Sequence, residues 1–440
     1  MDWHLTGRSW WTAPMLVAIG CTTATRAAHA QTDPDDHIFG GPTLERGAFV
    51  QAVLHRNRSI ESARQAWRAA IGRVRQTDSL EDPIVTVDVA PLSITSSSAR
   101  FGWDAMVSQR LPWPGKLALD EAVAHAEADA SRSDFEASRR ALALTAALLF
   151  DQYFVAVRSI EVNDHHVELM RSMQAAATSQ YEVGRGSAQD PLQAEFELTH
   201  MEHDTIILAS LRDVTMAQMN ELLHRAPELP VAPPPHELIP APSADALNEG
   251  VLEAEAVARR PDILAARDRA CAAQARADRA SREYLPDIAL SAAFSSMWDT
   301  PEHRWTVGLA FNLPVQTGRR GGAVDEANAT RAQYEADAER MSDAARTGVV
   351  VSLKQLEESA HVLHVFAERL LPIARKQVDA ARAAFISSQV PFVTLIDAEK
   401  NLRGVELDQQ TAQADYDRRR AELDGAVGRI PGLDGKDDAR

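Results

Sequence analysis

Between Lys116 and Glu182 the chain runs for 67 residues without a proline or a glycine. Ala, Leu, Glu and Arg dominate the stretch, and all are good helix formers. The pattern predicts one helix, which at about 1.5 Å per residue is on the order of 100 Å long. No compact core houses such a rod. Ala323 to Phe385 repeats the pattern, interrupted only by Gly348 and Pro372. Leu142, Thr145, Leu149, Phe150 and Phe154 recur at helical spacing while charges take the other faces, so the rods must pack side by side. Their Ala-rich faces permit the close approach that helices wrapped into a hollow cylinder require.

The second rod belongs to a duplication. Tyr181-Glu182-Val183-Gly184-Arg185-Gly186-Ser187-Ala188-Gln189-Asp190-Pro191-Leu192-Gln193-Ala194-Glu195 lies without gaps on Phe385 to Glu399, at an offset of 204. Upstream, Leu111-Pro112-Trp113-Pro114-Gly115-Lys116 matches Leu313 to Arg319 with one inserted residue, and Asp82-Pro83-Ile84 parallels Leu285-Pro286-Asp287-Ile288. Three landmarks in the same order at nearly one offset define two repeats, 31–226 and 247–428, with a tail at 429–440. Seven of the 22 prolines fall between Pro227 and Pro242, so 227–246 reads as an extended crossover with little helix.

Each repeat has one internal plan. After an Ala- and Arg-rich helix (roughly 57 to 78, and 247 to 283) come two short alternating segments: Val85, Val87 and Val89, then Phe101, Trp103, Ala105 and Val107, in the first half. In the second half they are Ile288, Leu290, Ala292 and Phe294, then Trp305, Val307, Leu309 and Phe311. Period two with one apolar face is a strand signal. At about ten residues each, the segments match tilted membrane-spanning strands, apolar toward lipid and polar toward a lumen. Half-buried strands of a sandwich give the same alternation, and the flanking rods favour the membrane reading.

The N-terminus carries an export signal. Arg8 precedes an apolar stretch from Trp10 to Gly20, and Ala28-His29-Ala30 supplies a cleavage site, so 1–30 reads as a signal peptide. Ala18-Ile19-Gly20-Cys21 offers a rival, in which cleavage after 1–20 leaves Cys21 lipidated. The only other cysteine is Cys271, so the mature chain has no disulfide to form within itself. The net charge of −17 becomes −18 once Asp2, Arg8 and Arg26 are removed. Such a surface repels phosphate backbones, which argues against a nucleic-acid partner. No nucleophile and base pattern, H-E-x-x-H or C-x-x-C is present; no cofactor and no catalysis are expected. His165 and His166 point about 100° apart on a helix, and the pairs His200/His203 and His361/His364 share faces without a third ligand nearby, so solvated helix faces are the expected reading.

Four strands cannot close a barrel, since the smallest membrane barrels have eight, whereas three copies supply twelve. The duplicated strand-strand-helix-helix plan, the crossover, Arg260-Pro261-Asp262 with Leu285-Pro286-Asp287, the two Leu-Pro strand exits and the turn Val183-Gly184-Arg185-Gly186-Ser187 resemble the TolC-like outer-membrane factor family over roughly residues 45 to 428. The resemblance implies a mainly α protein with a membrane β-barrel: a homotrimer whose twelve-stranded barrel in the outer membrane continues into a long α-helical barrel across the periplasm of a Gram-negative bacterium. It implies as partners a periplasmic adaptor, an inner-membrane transporter of the resistance-nodulation-division type and outer-membrane lipid. Gln109 to Lys116 looks most like members serving heavy-metal efflux. Drug efflux and one-step protein secretion stay open as alternatives, as does a soluble periplasmic coiled-coil adaptor, which leaves the four strands unexplained.

On the same resemblance, the inner mouth lies where each pair of rods turns, at 181–195 and 385–399. Asp397 aligns with one of the aspartates that constrict the mouth in this family, and Thr394 stands where the other would be. Asp190 is either a second gate carboxylate or an N-cap for the helix beginning at Pro191. Adaptor docking is expected on the tips Val183, Gly184, Arg185, Gly186 and Ser187, and Ser387, Ser388 and Gln389.

Overall fold

The computed structural model describes residues 41–77, 79–94, 101–238, 247–387 and 389–433. The signal peptide, Cys21, Ser388, residues 239–246 of the crossover and the end of the tail lie outside the described residues. The first half comprises α1 (Arg46–Arg56), α2 (Arg58–Thr77), β1 (Ile84–Val89), β2 (Trp103–Leu111), α3 (Lys116–Glu182) and α4 (Gln189–Leu222). The second comprises α5 (Glu249–Arg259), α6 (Pro261–Ser281), β3 (Ile288–Ser295), β4 (Trp305–Phe311), α7 (Thr317–Val365), α8 (Leu371–Ile386) and α9 (Phe392–Val427).

α3 has the 67 residues and the bounds that its freedom from Pro and Gly predicts. Its counterpart is broken where Pro372 sits: a π-helical turn, Phe366–Leu370, separates α7 from α8. Proline lacks the N–H for the helical ladder and its ring crowds the carbonyl four residues back, so the ladder widens there. The single helix expected over 247–283 is likewise two, because Arg260, which precedes Pro261, is extended at φ −66°, ψ 122°. The Arg260 guanidinium folds back on Asp262 at 2.6 Å, and the left-handed Gly428 ending α9 packs closely on the Arg259-Arg260 backbone, where a Cβ would sit 3.1 Å from the Arg260 nitrogen. α3 is long and apolar enough to cross a membrane by composition, yet half of its most apolar stretch is buried inside the chain.

Alanine sets the distance between α3 and α6. Ala124, Ala128 and Ala130 on one, and Ala265, Ala266, Ala272, Ala273 and Ala277 on the other, are all buried. Ion pairs Arg269–Asp134, Arg276–Glu127 and Arg279–Asp120 line this antiparallel seam and fix its register. Around the middle of α3, Phe49 and Val53 of α1, Phe150 and Phe154 of α3, Met219 of α4, Val231 of the crossover and Ile430 form the main core.

The four strands form one antiparallel sheet in the order β1-β2-β3-β4. They are six, nine, eight and seven residues long, shorter than the expected ten, and the outer two lack a neighbour on one side. The register puts Val85, Val107, Ala292 and Val307 in one row and Val87, Ala105, Phe294 and Trp305 in another. Gln109 is the one polar residue on that face, and Val307 is 81% exposed. The opposite face carries Thr86, Asp88, Asp104, Ser108, Ser291, Thr306 and Gly308, small or polar apart from Ile84 and Met106. The alternation seen strand by strand is thus one continuous two-faced surface.

Sheet and helices are joined at Asp287. Its carboxylate accepts from Lys116 Nζ at 2.8 Å, Arg110 Nη2 at 2.8 Å and the Trp113 backbone N–H at 3.1 Å. Lys116, the first residue of α3, is fully buried and also donates to the Leu285 carbonyl at 3.0 Å. Burial pushes the Asp287 carboxyl up, but the hydrogen bonds from Lys116, Arg110 and the Trp113 N–H outweigh it and hold it at about 2. With the folded value below the ordinary 3.8, the stabilisation is complete above about pH 4 and is lost only as pH falls through about 2. Replacing Asp287 with Ala leaves the Lys116 ammonium buried without its carboxylate; the expected loss is on the order of 3–5 kcal/mol, measured by thermal unfolding of the protein in detergent at neutral pH.

Candidate aperture at the hairpin tips

Two helical hairpins, α3 with α4 and α8 with α9, end side by side. Val167, Met170, Met173 and Ala177 of α3 and Ala194 and Met201 of α4 pack on Val378 and Ala381 of α8 and Phe392, Leu395, Ile396 and Ala398 of α9. This apolar plug brings the two turns of the duplicated motif to one end of the body.

The first turn is built by its glycines. Gly184 has φ +72°, and its side-chain position faces open space. The Arg185 and Gly186 N–H groups donate back to the Gln180 carbonyl at 2.8 and 3.1 Å, closing the end of α3. The chain then restarts on a reciprocal cap. Ser187 Oγ accepts from the Gln189 N–H at 3.2 Å, and the Asp190 carboxylate accepts from the Ser187 N–H at 3.2 Å. This is a capping box: Ser187 is the cap, and Asp190, expected as the cap itself, is its partner inside the helix three residues on. The second turn has no glycine. Ser387 Oγ donates to the Ala383 and Ala384 carbonyls at 3.0 and 3.1 Å, the Gln389 N–H donates to the Ala384 carbonyl at 2.8 Å, and extended Pro391 starts α9.

Thr394 and Asp397 share an exposed face of α9, one turn apart, while Leu395, Ile396 and Ala398 face the plug. Among the described residues Asp397 makes no hydrogen bond or ion pair, and it does not meet Asp190. The nearby bases are committed elsewhere: Lys400 pairs with Glu197 at 2.8 Å, and Arg403 donates to Asn163 Oδ1 at 2.6 Å and Asp204 Oδ2 at 2.5 Å.

Sequence reading missed the polar layer above the plug. Lys400 pairs with Glu197 at 2.8 Å and Arg382 with buried Glu399 at 3.1 Å. His166, 2% exposed, meets Glu406 at 2.9 Å. Hydrogen bonds from His166 lower the Glu406 carboxyl against its burial, with Arg375 adding to the effect. His200 and His203 both lie near Asp204, at 3.5 and 3.7 Å. These partners are 17 to 240 residues apart in the chain, or lie on faces that a helical wheel marks as solvated, so spacing alone carried no signal of them.

The capping box is testable. Ser187→Ala removes the cap oxygen and is expected to cost about 1 kcal/mol, with Asp190→Asn costing less; thermal unfolding of both variants measures the difference.

Residues 252–429 match the model of the family described as outer membrane efflux protein. Among solved structures, the outer-membrane channel OprN is similar at 20% identity and a TM-score of 0.76, covering 89% of this chain and 91% of that one. CusC, described for folding and transmembrane channel formation, follows at 17% identity and a TM-score of 0.75, covering 88% and 92%. The Campylobacter jejuni outer membrane channel CmeC is similar at 14% identity and a TM-score of 0.73, covering 90% and 87%. No curated protein sequence matches. The family model speaks for residues 252–429, which match the outer membrane efflux protein family by sequence, and the solved structures speak for the fold, which along most of this chain is that of the outer-membrane channels.

Proposed function

We propose that three copies of this chain form the outer-membrane duct of a tripartite efflux pump, conducting solutes from the periplasm to the exterior without catalysing a reaction. The observation that carries this reading is the sheet: four strands with an exposed apolar face and two unpaired edges, β1 and β4. Lipid cannot satisfy the backbone groups of an open edge. Pairing β1 of each copy with β4 of the next closes a twelve-stranded barrel, apolar outside and polar within. The rods support the same assembly, because Phe196, Ile206, Ile207 and Val214 of α4 and Val351 and Ile373 of α7 and α8 are exposed apolar residues on long helices. Export follows from the N-terminal segment, cleaved after Ala30 or before a lipidated Cys21. The mature chain is then two repeats, 31–226 and 247–428, joined by the crossover at 227–246.

In this reading the tips at Val183 to Ser187 and Ser387 to Gln389 meet a periplasmic adaptor, which links the duct to an inner-membrane transporter of the resistance-nodulation-division type. Heavy-metal cations are the proposed cargo, supported by the Gln109 to Lys116 segment. A broader small-molecule cargo is favoured by a specific observation: Arg110, Trp113 and Lys116 of that segment are all engaged by Asp287, so the joint accounts for them whatever the cargo is. Asp397 from three copies forms a carboxylate ring at the mouth, where like charges concentrate cations and oppose closure.

Three outcomes are expected. The mature protein purified in detergent is a trimer; a stable monomer with full β content contradicts the reading. Asp397→Asn changes cation preference and block by multivalent cations in planar-bilayer recordings, and unchanged recordings remove Asp397 from the gate. A bulky residue at Gly184, where the added side chain meets open space, abolishes efflux and leaves trimer and insertion intact; if resistance survives this change and its counterpart at Ser388, the adaptor docks elsewhere.

A further inference from the structure

Far from the tips, the middle of the helical body buries a charge for which the duct reading has no use. Asp151 of α3 and Asp417 of α9 are 3% and 6% exposed, and Arg46, the first residue of α1, reaches both. Its Nη2 donates to Asp151 Oδ2 at 2.7 Å and to the Asp417 backbone carbonyl at 3.1 Å, and its Nη1 lies 3.9 Å from Asp417 Oδ1. The second oxygen of Asp151 is buried with no hydrogen-bond partner among the described residues. The flanking core is apolar: Phe49, Phe150 and Ala414, on the same three helices as Arg46, Asp151 and Asp417, are buried in one cluster.

One guanidinium balances one carboxylate. Two buried carboxylates beside it leave a net negative charge in an apolar site, an arrangement that proteins avoid by neutralising a group. A single bound proton restores the balance. Both carboxylates are already buried within one chain, so their burial does not depend on assembly. The other charges acting on it come from α9: Arg418, which is 2.8 Å from Asp415, acts on Asp151, and Arg420 acts on Asp417, next to Tyr416.

We propose that Arg46, Asp151 and Asp417 form a proton-binding clasp that fastens α1 to the helical body and loosens as pH rises above neutral. Burial pushes Asp151 up to about 8 and Asp417 up to about 6, in each case against the pull of Arg46. Both folded values lie above the ordinary 3.8, so the folded chain holds protons that the unfolded chain releases. The stabilisation is therefore complete below about pH 4 and is lost as pH rises through about 6 and then about 8. What the clasp holds is the N-terminal end of the mature chain: α1 buries Phe49, Val50 and Val53, and the Leu44 N–H just before it donates to the Pro233 carbonyl of the crossover at 2.9 Å. A change of pH thus acts where N-terminus, crossover and both long hairpins meet.

The test uses the full-length mature protein in detergent. Infrared difference spectra between about pH 6 and pH 9 are expected to show a protonated carboxylic-acid band that disappears with rising pH. Asp151→Asn and Asp417→Asn each leave a single carboxylate against Arg46, so each is expected to remove or strongly reduce that band. The difference in melting temperature between wild type and Asp151→Asn is expected to shift across the same range, with the variant gaining relative to wild type as pH rises. If neither variant folds, hydrogen exchange on wild type decides: after correction for intrinsic rates, amides of α1 lose protection between pH 6.5 and 8.5 relative to those of α9. A wild-type spectrum without a titrating acid band, a melting difference flat in pH, or α1 protection that does not change overturns the proposal. Neither infrared nor exchange depends on oligomeric state or transport, so a failed trimer test leaves this outcome separate.

Discussion

The joint at Asp287 is the interaction on which the architecture depends. A strand has a period of two and a helix a period of 3.6, so a chain passing between them needs a fixed point to keep both faces in phase. One carboxylate supplies it, receiving Arg110 from β2, the Trp113 N–H from the connection and Lys116 from α3, while its own residue immediately precedes β3. The first repeat's strand exit and the second repeat's strand entry are thereby tied together. The duplication becomes one sheet at this point.

From that joint outward, the two ends of the molecule meet different demands. On the sheet side every backbone group must be paired and one face must be apolar, which the continuous rows from Val85 to Val307 satisfy. The helical side has water available, and packing there is governed by side-chain size. Small residues bring α3 and α6 together, and arginines along the seam choose its register. Among the described residues both sides stop short of completion within one chain: the sheet has two unpaired edges and the rods carry exposed apolar residues.

Charge follows the same division of labour. An acidic chain with few buried bases places those bases where carboxylates would otherwise stand alone: Lys116 on Asp287, Arg403 on Asp204, Arg46 between Asp151 and Asp417. Arg403 shows how this works near the hairpin tips: committed to Asn163 and Asp204, it is not available to Asp397.

The sequence by itself determined the elements. Freedom from Pro and Gly set α3 to the residue, period-two runs placed the four strands, and self-similarity revealed the repeats, because each of these is a local or periodic property that one chain segment carries alone. The turn at Gly184 was legible for the same reason, since only a residue without a Cβ takes φ +72° at low cost. What only the tertiary structure decided was partnership. Asp190 accepts a hydrogen bond at the cap that Ser187 makes, the metal-like segment proves to be anchored on Asp287, and Arg403 belongs to Asp204. Asp151 and Asp417 share one arginine across 371 residues of chain. Hydrogen bonds and ion pairs act over a few ångströms in space, and separation along the chain carries no information about which side chains come within that reach.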